Sequence, residues 1–266
     1  MTSASAQGKT TRGKPSQGMS MRGKVALVTG ATSGIGAATA EAVAGRGAYV
    51  LVAGRDAARG EAVVGAIRER GGRADFVGAD LRDAQAVRRF ARDAVERGGG
   101  RVDVLVNNAG IYPFGATADT EESLYDTVYA LNVKAPFYLV AELAPGMADR
   151  GGGAIVNVST MAAAIGFPGM ALYGSSKAAV NLLTKAWAAE YGRQGVRVNA
   201  VQVGPTRTET TAQAEDSLRA LAAQAPAQRP GTAAEVAASI VYLADDEESG
   251  FVQGAILPVD GGRAAV

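Results

Sequence analysis

The chain of 266 residues is 47% apolar and 20% charged, carries a net charge of +1, and contains neither cysteine nor histidine. This composition is typical of one globular α/β domain, and the near-zero charge gives no reason to expect a nucleic acid or an anionic membrane as partner. The missing residue types exclude disulfides, thiol catalysis, zinc sites of the usual ligands and every Ser-His or Cys-His mechanism, so no metal site is predicted.

The beginning of the chain differs in composition from the rest. Residues 1–21 are rich in Ser, Thr, Gly and Gln, and they include basic residues but no acidic one. This pattern predicts a disordered leader, with an organellar transit peptide as the alternative, and one folded domain over residues 22–266. No apolar run reaches the roughly 18 residues of a membrane helix. We therefore expect a soluble protein, and the missing cysteines favour the reducing cytoplasm.

Short apolar runs alternate with longer amphipathic segments from Lys24 onwards, which is typical of βα units and a parallel sheet. Strands are predicted at residues 25–28, 49–53, 74–77, 102–106, 154–158, 196–203 and 255–259. Helices are predicted at about 35–45, 56–70, 83–97, 123–149, 172–191 and 232–244. Because the strands are apolar throughout, we expect a seven-stranded parallel sheet buried on both faces by helices, in a single Rossmann-type, doubly wound domain.

The connection after the first strand is rich in glycine and reads Thr29-Gly-Ala-Thr-Ser-Gly-Ile-Gly36. Gly30, Gly34 and Gly36 let the backbone turn sharply and approach a pyrophosphate, while the next helix presents its N-terminal amides to the phosphates. The spacing differs from the commoner G-x-G-x-x-G, and in isolation a plain strand-to-helix connection is an equal alternative. Its position after the first strand favours a nucleotide site.

A second group of residues indicates proton transfer. Tyr173 and Lys177 are four residues apart in a predicted helix, so both side chains project from one face. An ammonium beside a phenol is expected to lower the pKa of the phenol towards neutrality. Taken alone, the pair is equally well a solvated helix pair. Ser159 at the end of the fifth predicted strand and the absence of histidine make Tyr173 the best available acid or base.

These motifs together resemble the short-chain dehydrogenase/reductase family, from about Lys24 to Arg263. Residues 29–36 match its TGxxxGIG turn and residues 107–110 its NNAG segment. The family's catalytic tetrad is matched by Asn132, Ser159, Tyr173 and Lys177. The resemblance implies an oxidoreductase that acts on a CH–OH group with NAD(P), and a 3-oxoacyl-[acyl-carrier-protein] reductase is one candidate. Relatives commonly form homotetramers, so a homotetramer is expected.

The resemblance also implies a role for each tetrad residue. Ser159 orients and polarises a substrate carbonyl, and Tyr173 transfers the proton to or from its oxygen. Lys177 lowers the Tyr173 pKa and binds the nicotinamide ribose, whereas Asn132 kinks its helix and holds a water for the proton relay. The implied cofactor-binding residues are Gly30, Thr32, Ser33, Gly34, Ile35, Gly36, Arg55, Asp80, Leu81, Asn107, Ala109, Gly110, Tyr173, Lys177, Thr206 and Thr208.

The end of the second strand bears on the choice of cofactor. Gly54 stands where NAD-preferring members of the family carry an acidic residue, and Arg55 follows it. A carboxylate would repel a 2′-phosphate, whereas an arginine pairs with it. NADP(H) is therefore the predicted cofactor, with Arg59 placed to assist one turn later, and NAD(H) is the alternative.

Apolar residues near the tetrad predict an apolar substrate cleft. The candidates are Ile111, Phe114, Ile165 and Phe167, and residues 208–228 are expected to form a mobile lid. The predicted reaction transfers a hydride between nicotinamide and a ketone or secondary alcohol, such as a 3-oxoacyl thioester or another apolar ketone. The alternatives are an NAD-dependent sugar or alcohol dehydrogenase, an isomerase or dehydratase, and a non-catalytic NADP(H)-binding regulator.

Overall fold

The computed structural model describes residues 19–266, and its centre is one parallel sheet of seven strands. The strands in chain order are β1 (Val25–Thr29), β2 (Tyr49–Gly54), β3 (Arg73–Gly78), β4 (Val104–Asn107), β5 (Gly153–Thr160), β6 (Val196–Val203), β7 (Thr206–Arg207), β8 (Gly231–Thr232) and β9 (Ile256–Val259). The sheet has the order β3-β2-β1-β4-β5-β6-β9, while β7 and β8 form a separate parallel pair. The predicted sheet is confirmed.

The helices are α1 (Gly34–Gly45), α2 (Ala57–Glu69), α3 (Ala84–Arg97), α4 (Glu122–Tyr129), α5 (Ala135–Asp149), α6 (Ala171–Tyr191), α7 (Glu215–Ala222), α8 (Ala233–Ala244) and α9 (Asp246–Ser249). Over residues 19–266, no helix combines the length and the apolar character that crossing a bilayer requires.

Apolar side chains cover both faces of the sheet. Along β1, Ala26 and Val28 belong to the core on one face, and Val25 and Leu27 belong to the core on the other. Helices α1, α2 and α8 cover the first face, and α3, α5 and α6 cover the second. Each fully buried aliphatic side chain contributes about 1.5–3 kcal/mol to stability, so the central strands are fixed firmly.

The helix predicted at 123–149 is divided by a π turn over Ala130–Lys134. In a regular α-helix the N–H of residue 136 would bind the carbonyl of Asn132, but Pro136 has no N–H and its ring crowds that carbonyl. The helix widens here, and the N–H of Ala135 donates to the carbonyl of Ala130. The segment predicted at 123–149 is therefore helical over its whole length, with a local π turn that the sequence prediction did not specify.

The stretch predicted as a lid contains regular structure. Residues 211–214 form a 3₁₀ turn that leads into α7, whose Leu218 and Ala222 are buried. The eight residues of α7 carry Glu215 and Asp216 in the first turn, where carboxylates favour a helix. The sequence prediction missed this helix, and the function of the stretch as a lid stays a prediction.

The predicted leader lies mostly outside the described residues, but its last residues are part of the fold. The Met21 side chain is fully buried in the core beside α1, and its N–H donates to the carbonyl of Arg46 at 2.9 Å. The Ser20 hydroxyl donates to the carboxylate of Asp245. The predicted boundary at residue 21 was therefore placed too late, because an apolar side chain there completes the core.

Candidate active site

The strand order determines where a ligand binds. β1 and β4 are neighbours in the sheet, yet the chain leaves them towards opposite faces. A crevice opens beyond the carboxyl ends of such strands, where open α/β sheets bind nucleotides. A cavity of about 380 Å³ lies at this place. Every predicted cofactor residue lines it except Asn107 and Thr206.

The glycine turn after β1 has room for backbone only. Gly30 and Gly34 have positive φ angles of +63° and +53°, which glycine adopts readily. At Gly36, a Cβ atom would lie 2.2 Å from the carbonyl oxygen of Gly30. The turn leads into α1, whose first amides have no partner within the helix and face the cavity side. This cradle fits the pyrophosphate of a dinucleotide.

Asn108, which the sequence prediction did not single out, holds this turn against β4. Its side-chain amide donates to the carbonyls of Thr29 at 2.9 Å and Gly30 at 3.0 Å. The backbone N–H groups of Asn108 and Ala109 both donate to the Thr29 hydroxyl at 3.1 Å. The two carbonyls of this tight turn require a hydrogen-bond donor. An asparagine after the neighbouring strand could therefore have been predicted from the sequence to supply it.

Asn107, which the resemblance predicts to lock β4 near the adenosine ribose, does not line the cavity. Its side chain is buried and donates to the side-chain oxygen of Asn157 at 2.8 Å. Asn157 in turn donates to the Thr184 hydroxyl at 2.9 Å. Successive residues of a strand face opposite sides, so Asn107 and Asn108 cannot share one role. Asn107 instead ties β4 to β5 and α6.

The far end of the cavity carries three charged side chains. Arg55, Asp80 and Arg82 all line it. Arg82 binds the carboxylate of Asp80 with two hydrogen bonds of 3.0 and 2.8 Å. The hydrogen bond from Arg82 lowers the pKa of Asp80 to about 2, with a smaller contribution from Arg55. Asp80 is thus ionised and already paired, and Arg82 is a cavity residue that the sequence prediction missed.

The sequence links both Gly54 and Arg59 to binding of the 2′-phosphate of NADP(H). A Cβ atom at Gly54 would lie 2.4 Å from the methyl group of Thr32, so an acidic residue would not fit here unless Thr32 moved. Arg59 is paired with Glu209 and does not line the cavity, which differs from its predicted assisting role. The reason is long-range, because Glu209 lies 150 residues further along the chain.

Ser159 lies at the carboxyl end of β5, as predicted. Its side chain is buried, and its hydroxyl oxygen has no hydrogen-bond partner among residues 19–266. A buried hydroxyl without a partner is costly, so such groups are uncommon away from functional sites. Val158, directly before Ser159, lines the cavity together with Tyr173 and Lys177.

The pKa of Tyr173 moves in the direction opposite to the prediction. Burial raises it to about 12, an effect that the Thr160 hydroxyl partly offsets and that Tyr112 reinforces. The ammonium of Lys177 donates to the carbonyl of Val158 at 2.9 Å, and burial lowers the pKa of Lys177 to about 8. The predicted lowering of the Tyr173 pKa by Lys177 is therefore wrong for this structure, because desolvation of the phenolate dominates.

Asn132 lies in the π turn and is fully buried. Its side chain accepts from the N–H of Ile111 and donates to the carbonyl of Ile111, both at 2.9 Å, and it donates to Ser176 at 3.1 Å. It therefore holds the segment after β4 in place beside α6. The carbonyl of Asn132 lacks its helical partner because Pro136 has no N–H. Its role in holding a water stays a prediction.

The structure does not gather all the predicted substrate residues. Ile111 lines the cavity, but Phe114, Ile165 and Phe167 do not. Phe114 is 75% exposed and packs on Gly169, where a Cβ atom would lie 2.6 Å from its ring. The ring of Phe167 lies 5.8 Å from the Arg263 guanidinium. Thr206, predicted to bind the cofactor, is buried and donates its hydroxyl to the Gly204 carbonyl at 3.0 Å.

Known proteins share both the sequence and the fold. The family model for short chain dehydrogenases matches residues 24–219. A 3-oxoacyl-[acyl-carrier-protein] reductase of Thermotoga maritima is 36% identical over 92% of this chain and 99% of its own length. A D-threitol dehydrogenase of Mycolicibacterium smegmatis is 38% identical over 90% of this chain and 92% of its own length.

A solved structure is also similar to this chain in both sequence and fold. The blue fluorescent protein from a metagenomic library, in complex with NADPH, is 33% identical and covers 92% of this chain and 100% of its own, with a TM-score of 0.86. The chain therefore belongs to the short-chain dehydrogenase/reductase family and is an NAD(P)-dependent oxidoreductase that acts on CH–OH groups.

Proposed function

We propose that this enzyme is an NADP(H)-dependent reductase of apolar ketones, including 3-oxoacyl thioesters. The observation that carries the proposal is the hydroxyl of Ser159, which is buried and has no partner among residues 19–266. Ser159 does not line the cavity itself, but it lies between Val158, which binds Lys177, and Thr160, which binds Tyr173. A carbonyl oxygen of a substrate would satisfy this hydroxyl. The same oxygen would then lie within reach of an acid that can protonate it.

The dinucleotide, when bound, supplies the hydride to the carbonyl carbon. Ser159 donates a hydrogen bond to the carbonyl oxygen and so polarises the carbonyl group. Tyr173 is a neutral phenol at physiological pH because its pKa is about 12, and it donates its proton to the alkoxide as that oxygen gains charge. The reverse reaction passes through the same transition state, with the Tyr173 phenolate accepting the proton of the alcohol. The proposed use of NADP(H), with Arg55 at the cavity, supports reduction as the working direction.

Lys177 and Asn132 position the other groups. The ammonium of Lys177 fixes the end of β5 through the carbonyl of Val158, and it lies on the cavity wall where the nicotinamide ribose is expected. Asn132 holds Ile111 by both its N–H and its carbonyl. Both residues thereby keep Ser159 and the cavity wall at a fixed spacing.

Charge at the far end of the cavity supports NADP(H). Arg55 lines the cavity, whereas the carboxylate of Asp80 is already bound by Arg82. The steric contact of position 54 with Thr32 disfavours the acidic residue that would select NAD(H). The NADPH complex of the similar metagenomic protein is consistent with this choice.

The lining of the substrate side supports an apolar ketone. Ile111, Tyr112, Leu131 and Val158 present apolar surface to the cavity beside Tyr173. The similarity to the 3-oxoacyl-[acyl-carrier-protein] reductase favours an acyl thioester. A second candidate is a polyol or sugar dehydrogenase, which the similarity to D-threitol dehydrogenase favours.

A substrate panel tests the proposal. The protein is incubated with 3-oxoacyl thioesters, cyclic and aliphatic ketones or polyols, and the absorbance of NADPH or NADH is followed. We expect fastest turnover of an apolar ketone with NADPH. Tyr173→Phe should lower turnover by about 10²–10⁴-fold while leaving NADPH binding intact. The proposal is wrong if only polyols react, or if Tyr173→Phe remains active.

We infer a cytoplasmic homotetramer. Leu182, Phe137 and Phe251 are exposed apolar side chains, with Leu182 69% exposed on the helix that bears Tyr173. Such apolar surface favours contact with a second copy. Sedimentation equilibrium of the full chain should give four times the mass of one chain, and a monomer would refute the inference. The cysteine-free sequence supports the reducing compartment.

A further inference from the structure

One ion pair connects the lid segment to the opposite side of the nucleotide cavity. The guanidinium of Arg59, in the first turn of α2, binds the carboxylate of Glu209. These residues are 150 positions apart in the chain. The pair therefore joins the region after β2, where a 2′-phosphate is expected, to the segment after β7.

The backbone around Glu209 is held at the cavity edge by side-chain hydrogen bonds of Thr211. Thr208 and Thr210, on either side of it, line the cavity. The Thr211 hydroxyl donates to the carbonyl of Thr206 at 2.8 Å and accepts from the N–H of Thr208 at 2.8 Å. The position of Glu209 is thus set by its neighbours, and its carboxylate faces α2 at the rim.

The charges around the cavity mean that Glu209 and a bound 2′-phosphate would compete for the guanidinium of Arg59. Arg55 lines the cavity four residues before Arg59, and the nearby carboxylate of Asp80 is already held by Arg82. A 2′-phosphate placed at Arg55 would attract the flexible guanidinium of Arg59 as a second partner. Glu209 would then lose its partner and repel the phosphate. A 2′-hydroxyl would leave the pair intact.

We propose that Glu209 sets the balance between NADP(H) and NAD(H) by competing with the 2′-phosphate for the guanidinium of Arg59. The proposal rests on the proposed function, since it requires the adenosine ribose to lie beside Arg55. Both side chains are largely exposed, at 49% for Arg59 and 72% for Glu209. Exposed charge interactions are weak, so the expected change in affinity is about two- to five-fold.

Nucleotide binding to the full chain tests the proposal without depending on a substrate. NADPH and NADH are titrated separately at one ionic strength, and their fluorescence gives each dissociation constant. Glu209→Gln should tighten NADPH by about two- to five-fold and leave NADH unchanged. The matched control is Glu215→Gln, because this carboxylate lies in the same segment but pairs with Arg207 and Arg219. It should change neither constant.

A second variant isolates the competition. In an Arg59→Gln background, Glu209 and the 2′-phosphate no longer share a guanidinium. Glu209→Gln should then change the dissociation constant of NADPH clearly less. The proposal is overturned if Glu209→Gln tightens both nucleotides equally, if Glu215→Gln acts as strongly, or if the effect is undiminished without Arg59. Tighter NADH than NADPH in the unaltered protein would refute the NADP(H) preference, while the shift in the ratio would still report on Glu209. Binding of neither nucleotide would overturn both.

Discussion

The two walls of the nucleotide cavity are held in different ways. The sheet wall, residues 29–36 and 107–111, is fixed by backbone contacts, by the half-buried amide of Asn108 and by the buried amide of Asn132. The second wall is carried by residues 206–222, of which Thr208 and Thr210 line the cavity. Threonine hydroxyls and exposed ion pairs, such as that of Arg207 with Glu215, hold this segment. The first wall has no room for a side chain at Gly36, whereas the second consists largely of adaptable side-chain contacts.

The difference separates two tasks. The sheet wall must accept the same dinucleotide phosphates in every catalytic cycle, so steric exclusion and buried hydrogen bonds suit it. The second wall is held by weak exposed contacts, which allow it to change more readily. Substitutions in the two walls should therefore differ in their cost.

Gly36→Ala should have the largest effect on stability. The new methyl group would lie 2.2 Å from the Gly30 carbonyl, a contact with backbone that cannot relax by a rotamer change. We expect a loss of about 3 kcal/mol in the free energy of unfolding, measured by urea titration, together with loss of NADPH binding. Gly45→Ala is the matched control at the end of the same helix, since nothing lies within 4 Å of its Cβ position. If both variants had the same free energy of unfolding and the same NADPH affinity, the sheet wall would be able to accommodate a side chain at residue 36.

Lys177→Met should have an intermediate effect on stability, and it should stabilise the protein where Gly36→Ala destabilises it. Among residues 19–266, the buried ammonium has one hydrogen bond, to the carbonyl of Val158. Replacing it with an apolar chain of similar length should stabilise the protein by about 1–3 kcal/mol at neutral pH while abolishing turnover. The pKa of Lys177 is about 8 in the folded state against 10.5 in a free side chain, so the unfolded chain binds the extra proton between these values. Stability of the unaltered protein should therefore rise with pH from about 8 to 10.5, and the advantage of the variant should shrink.

Urea unfolding of both proteins at neutral pH and near pH 10.5 checks this prediction. A variant that is less stable at neutral pH would mean that the bond to Val158 outweighs the burial of the charge. The sheet wall would then be optimised for stability as well as for catalysis.

Arg207→Gln should have the smallest effect. The side chain is exposed and its loss removes one ion pair with Glu215, which retains Arg219 as a partner. The free energy of unfolding should change by less than about 0.5 kcal/mol, while amide hydrogen exchange in residues 208–222 becomes faster. A loss comparable to that of Gly36→Ala would remove the distinction between the two walls.

The sequence alone predicted the strands and the glycine turn of the sheet wall, but not the contacts of Asn107 and Asn108. Strand runs such as residues 25–28 and the glycines of the turn are local signals, because their roles follow from backbone geometry and from apolar side chains in a row. The family resemblance then placed nearly every cofactor residue around one cavity.

The failures concern properties that depend on distant residues. Arg59 is paired because of Glu209, and the pKa of Tyr173 is set by burial rather than by its neighbour in the helix. The sequence did not show that Asn108 faces the glycine turn while Asn107 faces β5, because this depends on how β4 is oriented in the sheet. Helix α7 has only two buried positions, too few to give a clear period along the sequence.

The π turn at Ala130–Lys134 has a consequence for how this enzyme can diversify. Each residue added to a regular helix rotates the later residues by about 100°, so an insertion would normally turn an entire helix face away from its partner. Here the π turn changes the angle between the side chains of α4 and those of α5, so the faces of the two helices are not in one regular register. Thr127 and Leu131, on the α4 side, line the cavity, whereas α5 packs on α3. The π turn therefore lets α4 present one face to the cavity while α5 keeps a separately oriented face on α3, so the two helices serve binding and packing independently.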